Sequence, residues 1–160
     1  NQQSQNIITK ILATSPIPDH VIYTNKITQK DMDAIESLKL SPAIFQTNIS
    51  KKYELRITVV GETIFPVKIL SQTNGSVVMD WRKEPFGAKV VMEKTTLPKG
   101  IENKILTLLD KMGLKYGCID LCVTPQEEYV FFEINPSGQW YFVQQRTSLP
   151  IAEAIARLLM

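Results

Sequence analysis

Cysteine and histidine are scarce in this sequence: its 160 residues hold two cysteines and one histidine. Cys118 and Cys122 sit close together in what reads as one strand, where a bridge is geometrically awkward, so two free thiols in a reducing cytoplasm are expected. As zinc ligands they lack partners, because His20 stands alone; small, buried, apolar side chains are the plainer reading. No apolar run approaches the ~18 residues of a membrane span. Residues 1–5 are polar and lack the basic and apolar stretches of a signal peptide, so a soluble protein without a membrane partner is expected. An excess of one charge is also missing. Eighteen basic residues face sixteen acidic ones, a net charge of +2, which supplies no long-range field for nucleic acid or anionic lipid. Repeats and low-complexity segments are absent. The 44% hydrophobic content, over the length of one ordinary domain, is enough for a core. The first residue is Asn1 and not methionine, which raises the expectation of a processed or excised fragment.

The hydrophobic pattern along the chain mixes periods. Residues 7–12 read as a strand and residues 21–23 as a second short one. Thr28 with Asp31 resembles a capping box for a helix over residues 29–38, with Met32, Ile35, Leu38 and Ile27 on its buried side. Residues 43–46 form another short apolar stretch. Residues 53–60 carry the clearest strand signal: Leu55, Ile57 and Val59 alternate with Glu54, Arg56 and Thr58. Gly61-Glu62 turns the chain into a second arm over residues 64–70. Residues 75–87, with Asp80-Trp81-Arg82, suggest a surface loop at the mouth of a site. Ile101, Ile105, Leu108, Leu109 and Met112 have helical spacing before Gly113, a natural residue just past a helix end. Strands over residues 117–123 and 129–135 follow, then a helix starting at Pro150 with Ile151, Ile155, Leu158 and Leu159 as its apolar stripe. Hairpins covered by helices make an α+β fold with largely antiparallel sheet.

The last hairpin carries the chemistry. With Thr124 opposite Tyr129 across a turn at residues 125–128, Asp120 falls opposite Glu133. Asn135, two residues further on, shares their face, while Val130, Phe132 and Ile134 fill the other. Facing carboxylates repel, and a cation would resolve the conflict. Two carboxylates and an amide oxygen, without imidazole or thiolate, suit Mg²⁺ with room left for water and phosphate oxygens. On spacing alone, two solvated edge charges followed by an ordinary Asn-Pro turn fit equally well.

Asp120, then Glu133-x-Asn135-Pro136 on the next strand, resembles the metal site of ATP-grasp ligases. Further segments are similar to the microviridin-type, or graspetide, macrocyclase subgroup: Ile22-Tyr23-Thr24-Asn25, Phe45-Gln46, residues 54–61, Ser71-Gln72, Asp80-Trp81-Arg82, residues 116–121 and residues 135–140. The likeness runs over nearly the whole chain from about Ile7. It implies the C-terminal portion of an ATP-grasp fold, with residues 1–45 a remnant of the nucleotide-lid subdomain and residues 46–160 the C-terminal subdomain with the metal site. It implies ATP and Mg²⁺ as cofactors and a ribosomally made precursor peptide, leader and core, as partner. In such chemistry ATP phosphorylates a side-chain carboxylate of the precursor, and a hydroxyl or amine of the same peptide closes an ester or amide ring. The resemblance further implies that Asp120, Glu133 and Asn135 hold Mg²⁺, that Arg82 contacts the phosphates or the acyl phosphate, and that Arg56 is a second cation in the same cleft. Lys10 corresponds to a nucleotide lysine, Gln46, Thr47, Asn48 and Ile49 to the segment bracketing adenine, and Glu54 to an acidic position near the ribose. Thr47 departs from the pattern, which usually has an acidic residue there. Gly138 would permit a turn that brings backbone to phosphate or substrate, and Trp81 and Trp140 are either packing or functional residues.

The resemblance also implies a preceding domain and a further phosphate lysine upstream of this chain, so the activity is assigned to a longer parent enzyme. Apolar surface at the edge could drive association into a homodimer. Two other functions stay in view: a ligase adding an amino acid to a peptide or protein terminus, and a non-catalytic, peptide-binding module. Asp80-Trp81-Arg82 and Gly138-Gln139-Trp140 favour the macrocyclase over the first, and the full Asp120, Glu133, Asn135 set argues against the second.

Overall fold

The computed structural model describes residues 6–11, 23–40, 42–71, 80 and 90–160. They divide into two compact units: one takes the described residues up to Ser50 together with Asp80, the other the remainder.

The first unit is built on three antiparallel strands, β1 (Ile7–Ile11), β2 (Asn25–Lys26) and, after a short helix, β3 (Ala43–Thr47), in the order β2-β1-β3. Helix α1 (Gln29–Asp33) starts at Thr28 with the expected capping box: the Thr28 N–H donates to Asp31 Oδ2 at 2.7 Å and the Asp31 N–H to Thr28 Oγ1 at 3.4 Å. The helix is shorter than its spacing predicts. It gives way to a 3₁₀ turn over Ile35–Lys39, and Met32 and Ile35 are exposed, so the expected buried stripe is not assembled among the described residues. The strand expected at residues 21–23 also differs: Tyr23 and Thr24 are outside the strand, which runs over Asn25–Lys26, and Val21 and Ile22 lie outside the described residues. Asp80 is buried, and its Oδ2 accepts the Thr24 N–H at 3.3 Å.

The second unit is a five-stranded antiparallel sheet. Its strands are β4 (Tyr53–Val60), β5 (Thr63–Leu70), β6 (Val91–Lys94), β7 (Tyr116–Val123) and β8 (Tyr129–Asn135), in the order β6-β5-β4-β7-β8. Gly61 adopts φ +58° in the tight β4–β5 turn, a conformation that a side chain disfavours. Helix α2 (Lys99–Lys111) covers one face, pressing Ile105 and Leu109 onto Leu55, Ile57, Val59, Ile119 and Val123. Burying each such aliphatic side chain contributes roughly 1.5–3 kcal/mol, which makes this layer the main source of the unit's stability. Gly113 ends α2 at φ +66°, with the Leu114 N–H returning to Leu109 O at 2.9 Å. Met112, counted in the apolar stripe, is instead half exposed, because the helix stops at Lys111 before it.

The opposite face is covered by α3 (Tyr141–Thr147), which the spacing did not suggest, and α4 (Ile151–Leu159). Val143 and Ile151 are fully buried there against Val60, Phe65 and Val67, with Trp140 packed alongside. Leu158 and Leu159, expected on the stripe of α4, are exposed. With two antiparallel sheets and covering helices, the α+β expectation holds. Among the described residues no helix is long and apolar enough to cross a membrane.

Candidate active site

The alternation of β4 and β7 sends Leu55, Ile57 and Val59 to the α2 core and turns Glu54, Arg56 and Thr58 toward the other face, paired with Cys122, Asp120 and Cys118. On β8, Asp120 pairs with Glu133 and Cys118 with Asn135, so the three oxygen-bearing side chains share that face. The reason differs from the one the sequence suggested. Nearest the turn the ladder runs Val123 to Tyr129, Cys122 to Val130 and Leu121 to Phe131, one step off the expected register. Continued without interruption, it would set Phe132 against Asp120 and send Glu133 to the core face. A bulge between Asp120 and Leu121 absorbs one residue of β8 and restores Glu133 to the position opposite Asp120. Accordingly, Val130, Phe132 and Ile134 do not form one face: Ile134 and Tyr129 pack on the α2 core, while Val130 pairs with Cys122.

Arg56 organises the site. Its Nη1 donates to both carboxylate oxygens of Asp120, at 3.0 and 2.8 Å, and its Nη2 donates to the Gln139 carbonyl at 2.9 Å. Nε is buried and has no hydrogen-bond partner among the described residues. Burial is the largest single influence and works against the guanidinium charge, but Asp120, with Cys118 and Tyr116 adding to it, holds Arg56 above its ordinary pKa. For Asp120 burial is the dominant influence and pushes the carboxyl up; Arg56 opposes it, and Glu133 and Glu54 add to it. Glu133 is exposed and has no hydrogen-bond donor among the described residues.

Glu54 lies one alternation along β4 from Arg56. Its Oε1 accepts both Lys51 Nζ at 2.7 Å and the Ser71 hydroxyl at 2.9 Å, and all three side chains are largely buried. Beyond β8, Asn135 Oδ1 accepts the Ser137 N–H at 3.0 Å and its carbonyl accepts the Gly138 N–H at 3.2 Å, which folds residues 135–138 into a turn. Gly138 is required there for space and not for a left-handed backbone. A Cβ on it would stand 2.4 Å from Cys118 Cβ, 2.9 Å from Cys118 Sγ and 3.1 Å from Arg56 Nη2. Tyr116 donates its hydroxyl to the Gly138 carbonyl and lies 3.2 Å from Cys118 Sγ; burial is the largest of the influences that raise its pKa.

The structure therefore brings together Arg56, Asp120, Glu133 and Asn135, with Glu54 near them, in the second unit. Lys10, on the central strand β1 opposite Ile44, and Gln46 and Thr47 on β3, opposite Ile8 and Ile7, belong to the first. Asn48 follows, its N–H bonded to Asn6 O at 2.7 Å, and Ile49 is half-buried. Arg82 and Trp81 lie outside the described residues. Tyr116, Gln139 and Ser71 fall in segments that carry the resemblance but have no individual role in the sequence reading, since each bonds a partner distant along the chain; Lys51 has none there either, although Glu54 is only three residues away. Trp140 is half-buried beside the α3–α4 core and meets the Tyr141 ring edge-on, a packing role.

A magnesium ion fits the chemistry of this donor set. The oxygen donors are hard, and Asp120 is an anion that its neighbours Glu133 and Glu54 disfavour. Among the described residues no three His, Cys, Asp or Glu side chains gather closely enough to hold an ion by themselves. An ion held here would need Asn135 as a further protein donor, with water or phosphate completing the shell.

These elements define the ATP-grasp fold, and comparison with solved structures agrees. No protein-family model matches the sequence, and no curated protein matches it. The chain is similar to macrocyclase MdnC of Microcystis aeruginosa MRC, solved with precursor peptide MdnA, at 41% identity and a TM-score of 0.84, over 97% of this chain and 48% of that one. It is similar to the Chryseobacterium gregarium RiPP-associated ATP-grasp ligase, solved with ADP and a leader and core peptide, at 34% identity and a TM-score of 0.89, over 99% of this chain and 49% of that one. The more distant ATP-grasp ligase PsnB, solved with minimal precursor, Mg and ADP, shares the fold at 19% identity and a TM-score of 0.73, over 99% of this chain and 48% of that one. The resemblance to graspetide-type ATP-grasp ligases thus holds over nearly the whole chain, which spans about half the length of each of these proteins.

Proposed function

We propose that this chain supplies the cation-holding part of an ATP-dependent ligase that modifies a ribosomally made precursor peptide. The observation that carries the proposal is the pairing of Asp120 with Glu133 on a face already furnished with Arg56, in a chain similar at 41% identity to a macrocyclase. In the reaction, a precursor Asp or Glu carboxylate attacks the γ-phosphorus of ATP, forming an acyl phosphate and releasing ADP. A Ser or Thr hydroxyl or a Lys amine of the same peptide then attacks the acyl carbon, inorganic phosphate leaves, and an ester or amide ring closes. Magnesium, when bound, neutralises charge on the phosphoryl group in transfer.

Asp120, Glu133 and Asn135 would hold that ion, and Arg56 sets the carboxylate of Asp120 and adds positive charge to the face. Glu54, fixed through one oxygen by Lys51 and Ser71, keeps the other for a nucleotide hydroxyl. By the resemblance, Lys10 and the backbone of Gln46, Thr47, Asn48 and Ile49 are the expected nucleotide contacts, and Arg82 the expected contact of the phosphates or the acyl phosphate. Leader and core of the precursor are the expected partners, in the cytoplasm.

Calorimetric titration of ATP with Mg²⁺ tests the nucleotide site: binding in the wild-type chain should vanish in the Asp120→Asn, Glu133→Gln variant. Equal binding by both would overturn the assignment. Intact-mass analysis of a precursor treated with the longer enzyme separates the chemistries. Each ring closed loses one water, whereas ligation of an amino acid adds a residue mass.

A further inference from the structure

Three observations converge on a residue to which no role has been given. Tyr116 begins β7, two positions before Cys118 and four before Asp120, and thus on the same face. Its hydroxyl reaches across to the turn after β8 and donates to the Gly138 carbonyl. The neighbouring carbonyl, that of Gln139, is the acceptor for Arg56 Nη2, and the other arm of Arg56 holds both oxygens of Asp120. The turn itself begins at Asn135, whose carbonyl and side-chain oxygen are bonded within it. Gly138 lies so close to Cys118 that a Cβ would overlap it, so the turn is seated on the sheet at van der Waals contact.

We propose that Tyr116 is a positioning residue for the cation site: by tying the Gly138 carbonyl down, it sets both Asn135 and, through Gln139 and Arg56, Asp120. This rests on the proposed cation site and deepens it. The Tyr116 hydroxyl meets Cys118 and the Gly138 carbonyl, so its action on the ion-holding side chains is indirect. A side-chain hydroxyl is suited to the task because it donates to a carbonyl while the ring fills the space against the α3–α4 core, where Tyr116 is partly buried. Groups that orient metal ligands in this way typically change metal affinity 10–100-fold when removed.

The test is Mn²⁺ binding to the full chain, read from the electron paramagnetic resonance signal of the free ion, with Tyr116→Phe, Asp120→Asn and Tyr129→Phe variants. Tyr129→Phe removes a hydroxyl from the other end of the hairpin and serves as the control. Tyr116→Phe is expected to weaken Mn²⁺ binding about tenfold, Tyr129→Phe to leave it unchanged, and Asp120→Asn to abolish it. A lowered unfolding temperature with unchanged Mn²⁺ affinity in Tyr116→Phe would make the tyrosine merely structural and overturn the inference while leaving the cation site standing. Failure of wild type to retain Mn²⁺ in a way that Asp120→Asn removes would overturn both.

Discussion

Replacing Gly138 with alanine tests how the site is seated. The new methyl carbon would stand 2.4 Å from Cys118 Cβ and 2.9 Å from its sulfur, distances that bonded-strand geometry cannot relax by rotating a side chain. The turn has to lift. Overpacking of this kind costs about 1–3 kcal/mol. Lifting the turn also pulls the Gln139 carbonyl from Arg56 Nη2, a charge-assisted bond at 2.9 Å whose loss adds about 1.5–3 kcal/mol. The sum is about 2.5–6 kcal/mol, and at about 2–4 °C per kcal/mol for a chain of this size the unfolding midpoint should fall by about 5–24 °C. Urea and thermal unfolding followed by circular dichroism measure it. The same substitution in a Cys118→Gly background, where the Cβ and sulfur are gone, should cost less by about 1–3 kcal/mol, a coupling that a double-mutant cycle isolates. Equal losses in both backgrounds, or a loss under about 1 kcal/mol in the first, would refute the reasoning.

Two further predictions concern the same face. Arg56→Ala leaves the Asp120 carboxylate without its cationic partner; breaking a buried pair costs about 3–5 kcal/mol, and the 30% exposure of the Asp120 side chain places this one near about 2–3 kcal/mol. Urea unfolding should show that loss, and Arg56→Ala combined with Asp120→Asn should recover part of it, since no ionised group is then left stranded. Cys118 and Cys122 are fully buried, and burial, with Glu54 adding to it against Lys51, pushes the Cys122 thiol up to about 11. A thiol reagent at neutral pH should therefore find neither cysteine in the native chain and both in urea; rapid native labelling of either would contradict the packing of this face.

Elements whose signal is local were legible in the sequence. The alternation in β4, the Gly61 turn, the Thr28 capping box and the α2 stripe each depend on residues within a turn or two of one another, and each is found where the spacing placed it, Met112 at the end of the stripe excepted. Glu133 and Asn135 were legible as sharing a face because period-two alternation within one strand requires it; their placement with Asp120 was not fixed by alternation.

What lay beyond the sequence depends on long-range contact. The pairing of Asp120 with Glu133 was anticipated from a register that the hairpin does not keep, and a one-residue bulge on β8 restores it. Nothing in the order of residues from 129 to 135 marks where that extra residue will sit, because a bulge answers to the twist and packing of the whole sheet. Helix α3 escaped notice because it is short and begins beside a turn. Gly138 was read as a turn glycine, yet its constraint is the side chain of Cys118, twenty positions earlier and brought beneath it by the β7–β8 ladder. Composition and local period determined most strands and helices and the kinds of oxygen-bearing side chain available; only tertiary packing decided which of those side chains face one another and which backbone carbonyl holds Arg56 against Asp120.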